Sequence, residues 1–200
     1  MITGTDKEKT TVIVYTQDYT NKVHTFLSEN NFHTIPNNPT NKYHKTIQKA
    51  LRQCDTIINK TQIKHVTHKN PSPPTLNALL KLHKPNIPIR PVTNNRNAPA
   101  YKTTKKLNTI FNNHLHLDNE YVTINPSSLA NELLKLKINN KHRLLTLDVK
   151  VLYVNIPIRE TIGIARTQLL TNNGRQTTNQ IIALLEIILQ QDYFSFQGQI

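Results

Sequence analysis

Apolar residues recur along most of the chain at helical spacing, broken by short alternating stretches that read as strands. Thr11–Tyr15 (TVIVY) predicts a strand, and Asp18 is placed to cap a helix carrying Tyr19, Val23, Phe26 and Leu27 on one face. Asn30–Pro39 is turn chemistry. Thr40 then precedes a longer amphipathic helix, with Tyr43, Ile47, Ala50, Leu51, Cys54, Ile57 and Ile58 in register. Asn70–Pro74 is a Pro-rich break. The stretch from Leu79 to Leu107 holds Pro85, Pro88 and Pro91, which deny it a helix and keep it extended. Within it Ile87, Ile89 and Val92 read as packed strand residues. Leu107, Ile110, Phe111, His114 and Leu115 form another helical face, and Ser127 or Ser128 caps a helix through Leu129, Leu133, Leu134 and Leu136. Arg143–Val149 alternates as a short buried strand, with Leu145, Leu147 and Val149 on one side. Arg159–Leu170 reads as a helix stopped by Asn172-Asn173-Gly174. Thr177 or Thr178 opens a strongly apolar helix with Ile181, Ile182, Leu185, Ile188 and Leu189. Finally, Tyr193–Ile200 (YFSFQGQI) alternates as a strand with nothing after it to pair with. An unpaired terminal strand is an uncomfortable end for a domain, so the chain is expected to be cut from a longer one.

Charge sharpens this picture. Across 200 residues the formal charge is +13 and the pI is near 9.9, which points to a polyanionic partner, usually nucleic acid; a basic surface without a dedicated ligand is the alternative. No apolar run approaches the ~18 residues of a membrane span, so no membrane association is expected. Met1–Thr10 is polar and carries no secretory signal, and one cysteine permits no internal disulfide. Both fit an intracellular protein, nuclear or cytoplasmic. Cys54 lies on an apolar face and is expected to pack rather than react.

Three places could carry chemistry. The first is Asp148, an acid among aliphatic residues near the end of a strand. Burying it is costly unless it is paired, hydrogen-bonded or bound to a metal. The same carboxylate could instead cap the following turn, and the local pattern leaves these readings level. The second is the Pro-rich stretch, where Lys81, Lys84, Arg90 and Arg96 are threaded through a stiff hairpin, with Tyr101, Lys102, Lys105 and Lys106 behind them. Spaced cations on a stiff frame suit the gripping of phosphates. The third, His65 with His68, has ligand-like spacing but no cysteine or acid nearby, and reads as solvated loop histidines. His114 on its helical face reads as packed.

Together, HKP and RPV in the hairpin, LDVKVLYVNIP around Asp148 and YFSFQG near the end resemble the reverse transcriptase domain of Penelope-like retroelements. Asp6-Lys7 and the Val12–Val14 strand resemble the opening of that family's fingers. The resemblance implies an α+β fold: an incomplete right-hand polymerase, helix-rich with a small sheet, made of fingers and a partial palm. It divides the chain into an N-terminal fingers extension (1–70), a fingers hairpin and helix (71–125), and a partial palm with the first catalytic motif (126–200). It implies template-directed nucleotidyl transfer by a two-metal mechanism, with Mg²⁺, an RNA template, a DNA primer and deoxynucleoside triphosphates.

Asp148 would be the first catalytic, metal-binding aspartate. The Val149 carbonyl would help ligate the triphosphate-bound ion, Val151 would offer its N–H to the triphosphate, and Tyr153 would be the steric gate under the sugar. Arg90, and less directly Lys84, would contact the nucleotide's phosphates. Lys81, Arg96 and Lys102 would touch nucleic acid or only raise the local potential. Val151 stands where the family has Ser and Val154 where it has Thr. The family's Tyr-x-Asp-Asp hairpin has no counterpart, since no two acids are adjacent anywhere in the sequence. The chain by itself is therefore expected not to polymerise. A non-catalytic nucleic-acid-binding relic is the alternative, and a purely structural helical domain the third reading.

Overall fold

The structure is a computed structural model; it describes the 200 residues apart from 8–9, 116–121, 124, 138, 140, 144 and 148–155. It is α+β: among the described residues, seven helices accompany two small antiparallel sheets. Strand β3 (Thr75–Leu80) is the element from which the first layer is built. It pairs antiparallel with β4 (Ile89–Asn94), from Leu80 opposite Ile89 to Thr75 opposite Asn94.

Pro91 lies within β4, opposite Ala78, where a missing N–H could break a ladder. It does not, because Ala78 turns its own N–H away from β4, to the Tyr19 hydroxyl at 2.8 Å. The pair is thus one whose amides face outward, and proline is tolerated there.

The other edge of β3 is covered along its length. The Leu76 N–H donates to the Ser195 carbonyl (2.9 Å), Thr3 Oγ1 to the Ala78 carbonyl (3.1 Å), and the Asp6 N–H to the Leu80 carbonyl (2.9 Å). Helix α1 (Thr16–Glu29) lays Tyr19 and Val23 on the buried Leu76 and Ala78, with Leu27, Ile89, Phe194 and Phe196 around them. A second small sheet, β1 (Ile2–Gly4) with β2 (Thr11–Ile13), sits beside it.

A larger core lies between helices α2 (Thr40–Gln53), α3 (Lys60–Val66), α4 (Tyr101–His114), α6 (Ile158–Asn172) and α7 (Arg175–Leu189). Ile47, Leu51, Ile58, Leu107, Ile110, Leu169, Ile181, Ile182 and Leu184 form its buried centre. Each such side chain contributes on the order of 1.5–3 kcal/mol. Helix α5 (Pro126–Lys135) adds no buried residue; Leu134 is 84% exposed.

Several expectations are corrected. Asp18 is not a cap: Tyr15 is, without a side-chain bond, and Asp18 stands inside the first turn where its charge suits the dipole. Thr40 is the first residue of α2, held by Asn38 Oδ1, which accepts from its N–H (3.0 Å) and hydroxyl (2.6 Å). That helix stops at Gln53, so Ile57 and Ile58 lie in the turn beyond it. His65 stands on α3, not in a loop.

Extension ends earlier than Leu107, because α4 begins at Tyr101. Ile87 is in the hairpin turn and Val92 faces solvent, each 40% exposed; Ile89 alone of the three packs. Asn125, not a serine, caps α5, accepting from the Ser128 N–H at 2.8 Å. Thr178 is buried inside α7, which starts at Arg175.

Leu145 and Leu147 are 78% and 92% exposed and not in a strand, so their alternation does not mark a buried one; the rest of that stretch, with 144 and 148–149, lies outside the described residues. The terminal segment is paired after all. Ser195 bonds to β3 and to the Pro74 carbonyl (2.7 Å), and Phe196 and Gln199 close a tight turn on each other.

Candidate nucleic-acid interface

The hairpin tip gathers the first group of cations. Lys81 directly follows β3, its N–H bonded to the Pro88 carbonyl at 2.9 Å, and Lys84 lies in the turn, its N–H bonded to the Lys81 carbonyl at 3.0 Å. Two prolines and two left-handed residues, Asn86 (φ 60°) and Ile87 (φ 44°), fix this turn. A β-branched residue at positive φ is uncommon and marks a strained tip. Helix α1 braces it: Lys22 Nζ donates to the Asn86 carbonyl at 2.9 Å.

Arg90, near the start of β4, donates from Nη1 to Asp6 Oδ1 at 2.6 Å. The Asp6 side chain is 8% exposed and that of Arg90 55%, so the acid is fixed and the guanidinium keeps its other donors toward solvent. The hydrogen bond from Arg90 outweighs the cost of burial and, with the charges of Arg90, Lys81 and His83, holds the Asp6 carboxyl below the ordinary value of 3.8. The partnership of Asp6 with Arg90, 84 residues away, has no local signal in the sequence.

Arg96 and Lys102 stand at the opposite end of β4. Six residues of strand at ~3.4 Å each put them roughly 17–20 Å from the tip, so the structure separates the expected cations into two groups. Arg96 is exposed in the turn after β4; its carbonyl accepts from His68 Nε2 at 3.1 Å. Because a carbonyl only accepts, that ring nitrogen carries a proton.

Lys102 is in the first turn of α4 and lines a cavity of about 580 Å³ with Lys64, His65, His68, Lys69 and Asn70. The two histidines set aside in the sequence thus join the cationic surface. A larger cavity of about 850 Å³ adjoins Arg96 and is lined also by Asn94, Tyr101, Lys105 and Tyr193. Lys105 Nζ sits 4.8 Å from the Tyr101 ring centroid, and Tyr193 stacks on Tyr43 (5.2 Å, 21°). Burial raises the Tyr193 phenol above its ordinary value, against the hydrogen bond to Thr40 Oγ1 at 2.9 Å.

Asp148, Val149, Val151 and Tyr153 lie outside the described residues. Among the described residues no group of His, Cys, Asp and Glu could hold a metal ion, and no helix is long and apolar enough to cross a membrane. His114 packs as expected: Nδ1 donates to Asn173 Oδ1 at 2.5 Å. Cys54 is buried, and desolvation, with a smaller contribution from Asp55, pushes its thiol up to about 11, which suits a packing residue rather than a nucleophile. Compared with family models, curated proteins and solved structures, the chain matches none of them.

Proposed function

We propose that the chain is the fingers and first palm segment of a Penelope-like reverse transcriptase, and that by itself it holds nucleic acid without copying it. The observation that carries this reading is the hairpin tip. Lys81, Lys84 and Arg90 are gathered there on a turn stiffened by prolines, and the nearby acid, Asp6, is committed to orienting Arg90. A guanidinium so fixed loses less freedom on meeting a phosphate than a free one does, and its remaining donors match phosphate geometry. HKP lies in the turn and RPV on the returning strand, the order the resemblance implies.

In the parent protein the same surface would meet an RNA template, a DNA primer and the triphosphate of an incoming deoxynucleotide. Mg²⁺, when bound, would activate the primer hydroxyl and neutralise the triphosphate. Asp148 would be its ligand, yet two-metal chemistry needs further carboxylates beside the first. The described residues offer no such set and the sequence holds no adjacent acids, so no step through the metal is derived for this chain.

The test is a fluorescence anisotropy titration with a labelled RNA template annealed to a DNA primer, repeated across KCl concentrations. Affinity should fall steeply with salt, and Lys81→Ala with Lys84→Ala should lower the log–log slope by about 1.5, for two phosphates no longer neutralised. Arg90→Ala should weaken binding further, with a thermal melt to show that the fold survives. Salt-insensitive affinity, or a double variant indistinguishable from the parent, would overturn the proposal.

A further inference from the structure

We infer that the two adjoining cavities between α3, the β4–α4 turn and α4 form one seat for a nucleotide of an unpaired strand, with its phosphate in the smaller and its base in the larger. The inference rests on the nucleic-acid reading but concerns a surface a strand-length away from the hairpin tip. The smaller cavity is lined by three lysines, two histidines and an asparagine, with no acid among them. Lys102, Lys105 and Lys106 all fall in the first two turns of α4, where the helix dipole already makes the potential positive. No acid in that first turn and no side-chain cap offset them. So many cations in one place are mutually unfavourable until an anion joins them.

The larger cavity has a different chemistry. Asn94, Asn95, Asn108 and Gln191 line it. Asn94 Oδ1 already accepts from the Arg96 N–H (3.1 Å) and Gln191 Nε2 donates to the Ile187 carbonyl (3.3 Å). That leaves the Asn94 amide donor and the Gln191 carbonyl, beside Asn95 and Asn108, to meet the donors and acceptors of a base edge. Tyr101 supplies an aromatic ring on which a base can stack. Lys105, which covers that ring at 4.8 Å, is long enough to leave it for a phosphate oxygen.

The two cavities have no lining residue in common but are linked through neighbouring ones. His68 of the smaller is bonded to the carbonyl of Arg96, which lines the larger, and consecutive residues Tyr101 and Lys102 line one each. In a duplex the base is stacked and paired, so only an unpaired strand can enter the larger cavity.

The experiment compares a labelled oligouridine strand with a blunt RNA duplex of equal length, on the full chain. The strand should bind at least about ten-fold tighter, and Tyr101→Leu should cost it roughly 5- to 100-fold while barely changing the duplex. Lys64→Ala with Lys102→Ala should weaken the strand and lower its salt slope. Because a substitution can disturb α4, the unmodified chain is also cross-linked to a 4-thiouridine strand and digested. The cross-link should fall on the peptide holding Tyr101 or on that holding Tyr193. Equal affinity for strand and duplex, or cross-links confined to the hairpin tip, would overturn this seat and leave the hairpin reading standing. No binding of either form would remove both.

Discussion

At the scale of single residues the structure turns on Asp6. Its backbone is pinned to Leu80 and its carboxylate to Arg90, so it ties the N-terminal sheet to the hairpin. Its folded value is depressed, chiefly by the hydrogen bond from Arg90. A depressed carboxylate contributes stability that is present above the unfolded value of 3.8 and is lost as pH falls through the folded one. Asp6→Asn should therefore melt below the parent at neutral pH, and the gap should close as pH is lowered beneath 3.8. Thermal melts of the two proteins across pH read this directly; a gap that does not narrow at all as pH falls below 3.8 would assign the loss to packing instead. The residues that sequence reading tied most closely to chemistry fare unevenly. Arg90, Lys84 and Lys81 come together on the hairpin, Arg96 and Lys102 stand at the other end of β4 and line different cavities, and Asp148, Val149, Val151 and Tyr153 lie outside the described residues. The first grouping was legible because one short hairpin carries it. His65 and His68 were not, since what makes them part of a site is Lys102 arriving from another helix.

At the scale of elements, what could be read was what periodicity writes. Helices α2, α6 and α7 carry apolar faces strong enough to mark them, and Asn172-Asn173-Gly174 separates the last two as expected. Cap positions differ from expectation because a side chain able to cap does so only where the backbone turns: Asn125 does, while Asp18 and Ser128 sit within the first turn of their helices. Helix α3 was missed despite a capping box, Asn59 with Gln62, because only two apolar residues follow to give it a face. The tight turn near the end shows the opposite rule. Gln197 and Gly198 both have positive φ, +49° and +82°, as a mirror-image turn demands. Nothing lies within 4 Å of a Cβ added at Gly198, so Gly198→Ala should lose about 1 kcal/mol from backbone strain alone. Gly163, inside α6 and equally open, should behave in reverse: Gly163→Ala should gain about 0.5–1 kcal/mol from helix propensity. Urea unfolding of the two variants with unchanged m-values would verify both; a Gly198→Ala variant as stable as the parent would mean the turn is not strained as described, and a Gly163→Ala variant that loses stability would overturn the propensity argument.

The whole molecule is governed by an imbalance of charge. Its net charge of +13 is answered, among the described residues, by two ion pairs: Asp6 with Arg90, and Arg166 with Glu186 at 3.9 Å. The second is exposed on both sides and contributes little. The remaining cations therefore repel one another across the fold, with two modest cores opposing them: the helical one, and the smaller one between α1 and β3. Salt must then act in opposite directions on folding and on binding. Screening shortens the range of repulsion to about 10 Å at 0.1 M, which relieves the folded state, while the same ions compete for the phosphates. Raising KCl from about 20 to 300 mM should lift the melting temperature by a few degrees, near the 2–4 °C expected per kcal/mol for a chain of this size. Over the same range the affinity for the primed template should fall by more than about ten-fold. Calorimetry and anisotropy on one preparation test the pair together. A melting temperature that drops with salt would mean that attractive pairs, not repulsion, dominate the surface, and the hairpin and α4 lysines would then no longer be a store of unfavourable charge waiting for a polyanion.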